Sequence, residues 1–172
     1  MSTEKHKKKA PLYASIAIIS VSSTRSIKED ESGAWIKTEA EKKGHTVCYH
    51  GVADDDALLI KNNIIEVIEN KKPNKKPDAI IVTGGTGIAP KDVTIEAVSP
   101  LFEKELTAFG VIFAKLSFDE IGASAILSRA AAGIFKNCAI FCIPGSIKAC
   151  KLACESIIFK EIGHIIKHIR EK

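Results

Sequence analysis

Thr83-Gly84-Gly85-Thr86-Gly87 sets three glycines and two hydroxyls directly after the apolar run Ala79-Ile80-Ile81-Val82. Glycines let the backbone approach a ligand closely, and exposed N–H groups in a turn that enters a helix attract an anion, so this segment suits phosphate. It matches neither familiar phosphate signature. A Walker A loop ends in Gly-Lys-Ser/Thr, and the dinucleotide fingerprint needs a third Gly or Ala where Pro90 stands. Downstream, Thr94 is expected to cap the next helix, with Glu96 in its first turn, which leaves Asp92 in the loop without a capping duty. A carboxylate beside a phosphate-binding turn suits a divalent cation; an Asx-turn that shapes the loop is the competing use.

Asp54-Asp55-Asp56 poses the same question at another expected helix start. One carboxylate there is useful to the helix dipole, whereas three repel one another and a bound cation would relieve them. Ser22-Ser23-Thr24-Arg25 and Pro144-Gly145-Ser146-Ile147-Lys148 are two more polar turns that follow apolar runs. Four such turns at one edge of a sheet favour a large anionic ligand over coincidence. His164 and His168 stand one helical turn apart without a third ligand in the pattern. Cys138 and Cys142 would lie about 13 Å apart along a strand, too far to share one ion. Five cysteines, an odd number, point to reduced thiols packed as small hydrophobes.

These turns need elements to hold them. YASIAIISV over 13–21, HTVCYH over 45–50, AIIV over 79–82 and CAIFCI over 138–143 are expected strands, rich in β-branched residues and apolar enough to be buried on both faces. Helical patterns follow each of them: one over about 34–43 ended by Gly44, one after Asp56, one after Thr94 and one after Ser146. Between 101 and 133 the pattern is mixed, with Phe102, Leu106, Phe109, Ile112 and Phe113 at helical spacing and a short helix expected over 124–132; a last helix is expected over 161–169. Strands alternating with helices predict a three-layer α/β/α fold with a mainly parallel central sheet and ligands at the carboxyl ends of its strands.

A chain of 172 residues, 45% hydrophobic, suits one domain. Its net charge of +4 is matched by Lys5, Lys7, Lys8 and Lys9, so 1–10 is expected to be a solvated basic tail on a single domain over 11–172, and nucleic acid is not an expected partner. The basic stretch 71–77 is expected to be a solvated loop. No apolar run of about 18 residues and no signal-peptide pattern occurs, so a cytoplasmic protein without a membrane partner is expected.

Taken in order, Ser22-Ser23-Thr24-Arg25, Asp30-Glu31-Ser32-Gly33, Val52-Ala53-Asp54-Asp55, Thr83-Gly84-Gly85-Thr86-Gly87, Asp92-Val93-Thr94-Ile95-Glu96-Ala97, Leu127-Ser128-Arg129 and Pro144-Gly145-Ser146 resemble the MogA/MoaB family of molybdenum-cofactor biosynthesis proteins, whose related domains include that of gephyrin. The likeness runs from about Ser15 to His168. It implies molybdopterin adenylyltransferase activity, with ATP and molybdopterin as substrates and Mg²⁺ required. By motif position it implies Asp54 and Asp92 as catalytic, metal-associated carboxylates and Gly84, Gly85, Thr86, Gly87 and Gly145 as the nucleotide cradle. Ser117 and Ser128 fall at pterin positions, and Ser22, Thr24, Arg25, Asp55, Thr94, Arg129, Pro144, Ser146 and Lys148 complete the expected binding set. Arg25, Arg129, Lys91 and Lys148 are the candidate cations for the phosphates. Ala53, Lys91 and Ile95 depart from the family's usual Pro, Arg and Pro. The family also implies a homo-oligomer, trimeric or hexameric, and contact with other enzymes of the pathway. A pterin-binding or scaffolding protein with little turnover is the alternative.

Overall fold

The computed structural model describes residues 13–70 and 76–171; the basic tail and most of the second basic stretch lie outside the described residues. Six strands form one sheet: β1 (Ser15–Val21), β2 (Thr46–Ala53), β3 (Ala79–Thr83), β4 (Lys104–Glu105), β5 (Ala131–Phe135) and β6 (Cys138–Ile143). Their order is β2-β1-β3-β6-β5-β4. The first four in that order run parallel, as the crossover helices require, while β5 and β4 are antiparallel additions at one edge.

Helices cover both faces, giving the three layers expected from the sequence. Ile16, Ile18, Ile81 and Phe141 point to one side. There they pack on α1 (Glu31–Lys42), α4 (Thr107–Ile121) and the C-terminal helix, through Ile36, Phe113, Cys154 and Ile162 among others. The alternate residues Ala17, Ile19, Ile80, Val82 and Ile140 meet α2 (Ala57–Ile68) and the short α3 (Thr94–Val98), through Ile60, Ile64 and Val98. Period-two alternation into two separate cores is why the strand sequences are apolar throughout.

Three expectations are corrected. The 124–132 segment is not a helix: a 3₁₀ turn occupies Gly122–Leu127 and Ala131 begins β5. Ala-Ala-Gly-Ile-Phe has little strand propensity, and it becomes a strand because β6 offers it a paired edge through a two-residue turn. Lys136 and Asn137 in that turn both have positive φ, 48° and 62°, the conformation that suits a tight hairpin. The C-terminal helix is also continuous with the one before it: α5 (Ile147–Ala153) passes through a π-helical turn at Cys154–Ile158 into α6 (Phe159–Arg170). Finally, β4, a two-residue strand, has no sequence signature of its own.

Candidate active site

β1, β3 and β6 are adjacent and parallel, and the winding of the sheet reverses between β1 and β3, so the turns that leave their carboxyl ends open a common crevice. The crevice holds about 400 Å³ and is lined by Val21, Ser22, Thr24, Arg25, Asp55, Gly84, Gly85, Thr86, Gly87, Asp92, Leu127, Ser128, Pro144, Gly145 and Ser146. All four polar turns noted in the sequence therefore reach it.

The glycine turn forms its floor. Gly84 donates its N–H to the Ile143 carbonyl (3.0 Å) and has φ +100°; a Cβ there would strike the Val21 carbonyl. No other residue fits that combination of backbone conformation and contact. Thr94 lies beneath the turn, fully buried. Its hydroxyl donates to the Gly84 carbonyl (2.8 Å) and its N–H to that of Gly85 (2.9 Å). Thr94 is thus the first residue of α3 and a clamp on the glycine turn, not the cap: the cap position is Val93, which offers no side-chain acceptor.

The three adjacent aspartates have separate tasks. Asp56 caps α2 by accepting the N–H groups of Leu58 and Leu59 (2.9 Å each). Asp55 accepts from the N–H (2.7 Å) and hydroxyl (2.8 Å) of Ser23, tying the turn after β1 to the turn after β2, and lines the crevice. Asp54 is exposed and is not among the lining residues. Repulsion in this run is therefore met by hydrogen bonds to at least two of its members. Asp92 lines the crevice too, and it also shapes its loop, the competing use that the sequence allowed. Its carboxylate accepts the Ala89 N–H (2.8 Å) while its own N–H donates to the Ala89 carbonyl (2.8 Å), closing the loop.

Arg25 is the one cation among the lining residues. Lys91 and Lys148 are exposed and do not line the crevice. Arg129 is not among the lining residues. Its Nε donates to the carbonyls of Thr86 (2.9 Å) and Gly87 (3.1 Å), and its two terminal nitrogens grip Glu96 (2.6 and 3.2 Å). The Arg129 guanidinium in turn holds the Glu96 carboxyl below the usual carboxylate range. Arg129 therefore pins the glycine turn, and its guanidinium charge is shared with Glu96. Ser117 is buried in α4 and also off the crevice. Ser146 caps α5, accepting the Ala149 N–H (3.2 Å), and Ser128 lines the crevice beside Leu127. Leu127 and Val21 were not expected as site residues, since an apolar side chain carries no chemical signature.

Behind the crevice, Asp30 joins three elements. It accepts from the Ser20 hydroxyl of β1 (2.6 Å), faces His50 Nε2 of β2 (2.8 Å) and caps α1 through the Gly33 N–H (2.9 Å). Burial would raise its carboxyl, but the hydrogen bonds from His50, Ser20 and Gly33 outweigh that and hold it below the ordinary carboxylate range. Ser32, in the first turn of α1, donates to the Gly145 carbonyl (2.9 Å) and so ties this network to the Pro144 turn.

The "Probable molybdopterin binding domain" family matches residues 17–164. The chain belongs to this molybdenum-cofactor family. It is 40% identical over 172 residues to the molybdenum cofactor biosynthesis protein B of Bacillus subtilis (strain 168), covering 99% of each chain. It is 39% identical over 177 residues to the molybdopterin adenylyltransferase of Pyrococcus furiosus, covering 99% of this chain and all of that one. A crystal structure of a molybdenum cofactor biosynthesis protein B superposes with a TM-score of 0.89 at 35% identity, covering 95% of this chain and 100% of the other. The crevice of this family member thus sits on a MoaB/MogA scaffold.

Proposed function

We propose that this chain is a molybdopterin adenylyltransferase of molybdenum-cofactor biosynthesis, transferring AMP from ATP to the terminal phosphate of molybdopterin. The observation that carries this reading is the crevice itself: a glycine turn pinned at three sides, with Asp55 and Asp92 on its wall, on a chain alike over its whole length to a named adenylyltransferase. The nucleophile is a phosphate oxygen, already anionic at neutral pH, so no general base is needed. It forms a bond to the α-phosphorus of ATP as the bond to the β-phosphate oxygen breaks, and pyrophosphate leaves with that electron pair.

The difficulty is charge, because two polyanions must meet. Arg25 and the turn N–H groups bind and orient the phosphates, and the hydroxyls of Ser22, Thr24, Thr86, Ser128 and Ser146 add donors. One cation against two carboxylates leaves the wall short of positive charge. That donor set fits Mg²⁺, which takes one or two carboxylates and completes its shell with water and substrate phosphates. Asp55 and Asp92 would hold it, and it would supply the missing positive charge. Asp54, implied by the resemblance as the catalytic carboxylate, stands next to Asp55 at the rim.

The exposed apolar side chains Val111 and Phe118 of α4, with Ile126 and Leu127 beyond it, support a homo-oligomer, read with the family resemblance as trimeric or hexameric; we place it in the cytoplasm. Free thiols at all five cysteines accord with a reducing compartment, and among the described residues no helix is long and apolar enough to cross a membrane. We read residues 11–172 as one domain.

Incubation with molybdopterin, ATP and Mg²⁺ tests the proposal: pyrophosphate is released and adenylylated molybdopterin accumulates. Asp92→Asn, which keeps an acceptor for the Ala89 N–H, lowers turnover at least about 100-fold with pterin binding kept. Pterin bound without pyrophosphate release by the unaltered chain would instead identify a binding or scaffolding protein.

A further inference from the structure

On α6, far along the chain from the crevice motifs, His164 and His168 turn their rings toward each other, with Nε2 to Nε2 only 2.9 Å apart and ring centroids 4.7 Å apart. Each ring has a carboxylate at its other nitrogen: Glu161 at His164 Nδ1 (3.3 Å) and Glu171 at His168 Nδ1 (2.9 Å). An ionised carboxylate only accepts, so each Nδ1 carries the proton and donates it. Both Nε2 atoms are then left with a lone pair, and the two lone pairs face one another at hydrogen-bond distance. A second proton on one ring, or a metal ion bound to both, relieves that contact.

We propose that this pair is a surface site for a tetragonal divalent transition ion, nickel(II) or copper(II). A carboxylate behind each imidazole is the usual outer shell of a metal-bound histidine, fixing the tautomer and making the free nitrogen a better donor. The spacing selects the geometry. Two nitrogens about 2.05 Å from one ion lie about 2.9 Å apart at a right angle and about 3.3 Å apart at the tetrahedral angle, so the observed pair fits adjacent corners of a square better than two corners of a tetrahedron. Square or tetragonal nitrogen–oxygen sites suit copper(II) and nickel(II) over zinc. The site opens on a groove of about 460 Å³ lined also by Glu103 and Glu171, leaving the other coordination positions to water or a carboxylate oxygen. His164 is partly and His168 more fully exposed, so an ion reaches both without opening the fold.

Titration of the full chain with NiCl₂ and with CuCl₂, followed by calorimetry and by electron paramagnetic resonance of the copper form, tests the site. One ion per chain is lost in His164→Ala/His168→Ala, each single variant weakens that ion at least about tenfold, and Glu171→Gln weakens it about tenfold with both rings retained. The copper spectrum of the unaltered chain shows coupling to two nitrogens, and that of His168→Ala to one. Helical circular dichroism of the variants, unchanged at these exposed positions, separates lost binding from lost structure. Equal stoichiometry and affinity in the double variant would overturn the site, and tighter binding of ZnCl₂ than of NiCl₂ at the histidine pair would overturn its geometry.

Discussion

Glu96 does not line the crevice, yet the grip of its carboxylate on Arg129 aims the Arg129 Nε at the carbonyls of Thr86 and Gly87. Glu96 is thus a positioning residue for the turn that would cradle phosphate. The pair is largely exposed, so its contribution to stability is at most about 1 kcal/mol. Its effect on activity is larger, because a small displacement of a turn that binds phosphates is costly to the reaction. Glu96→Ala is expected to lower adenylylation about tenfold while moving Tm by less than about 4 °C, measured by pyrophosphate release and thermal unfolding. Glu96→Gln, which still accepts a hydrogen bond, should recover part of the loss. Equal activity of Glu96→Ala and the unaltered chain would show that Arg129 holds the turn unaided.

At the scale of elements, the packing of β1, β2 and α1 near the crevice rests on one buried carboxylate. Asp30 is held below the ordinary carboxylate range in the folded chain, so as pH falls the unfolded chain takes up a proton there first. The stability it contributes is present above the ordinary carboxylate pKa of about 4 and is lost as pH drops through the lower folded value. Asp30→Asn at neutral pH keeps one acceptor oxygen, enough for the Gly33 N–H, and leaves the Ser20 hydroxyl and His50 facing an amide nitrogen in place of a carboxylate oxygen, at a cost of about 3 kcal/mol. The gap in urea midpoint between the unaltered chain and Asp30→Asn should therefore be wide at pH 7 and narrow toward pH 3. A gap independent of pH would mean the carboxylate stabilises the fold by shape alone. Its tie to the crevice runs through α1, where Ser32 holds the Gly145 carbonyl.

For the whole molecule, many of the exposed apolar residues run along α4 and the turn after it: Val111 is 70% exposed, Phe118 58% and Ile126 85%. Leu127, the next residue, lines the crevice, so a subunit packed on this face would border the candidate active site. Val111→Glu/Phe118→Glu places charges on the face without touching the core. It should reduce the sedimenting species to the 18.6 kDa single chain, from three or six times that mass. A monomeric unaltered chain would remove the oligomer from the proposal.

The sequence by itself determined the four parallel strands and the turns at their ends, since a strand buried on both faces must be apolar throughout and a turn bound to an anion must expose backbone. It also marked Gly84, Asp92, Asp54 and the Pro144 turn as neighbours of one ligand, although Asp55 and not Asp54 lines the crevice. Tertiary structure decided the rest, for reasons no local pattern contains. β5 is a strand only because the edge of β6 accepts it, and its alanines would as readily be helical. Asp54 and Asp55 are adjacent in sequence, but the hydrogen bonds from Ser23 turn Asp55 to the crevice wall and leave Asp54 at the rim. Arg129 was a plausible partner for phosphate until the fold brought Glu96, 33 residues away, against it. Which charge a side chain meets is a property of packing, and for Arg129 packing supplied Glu96.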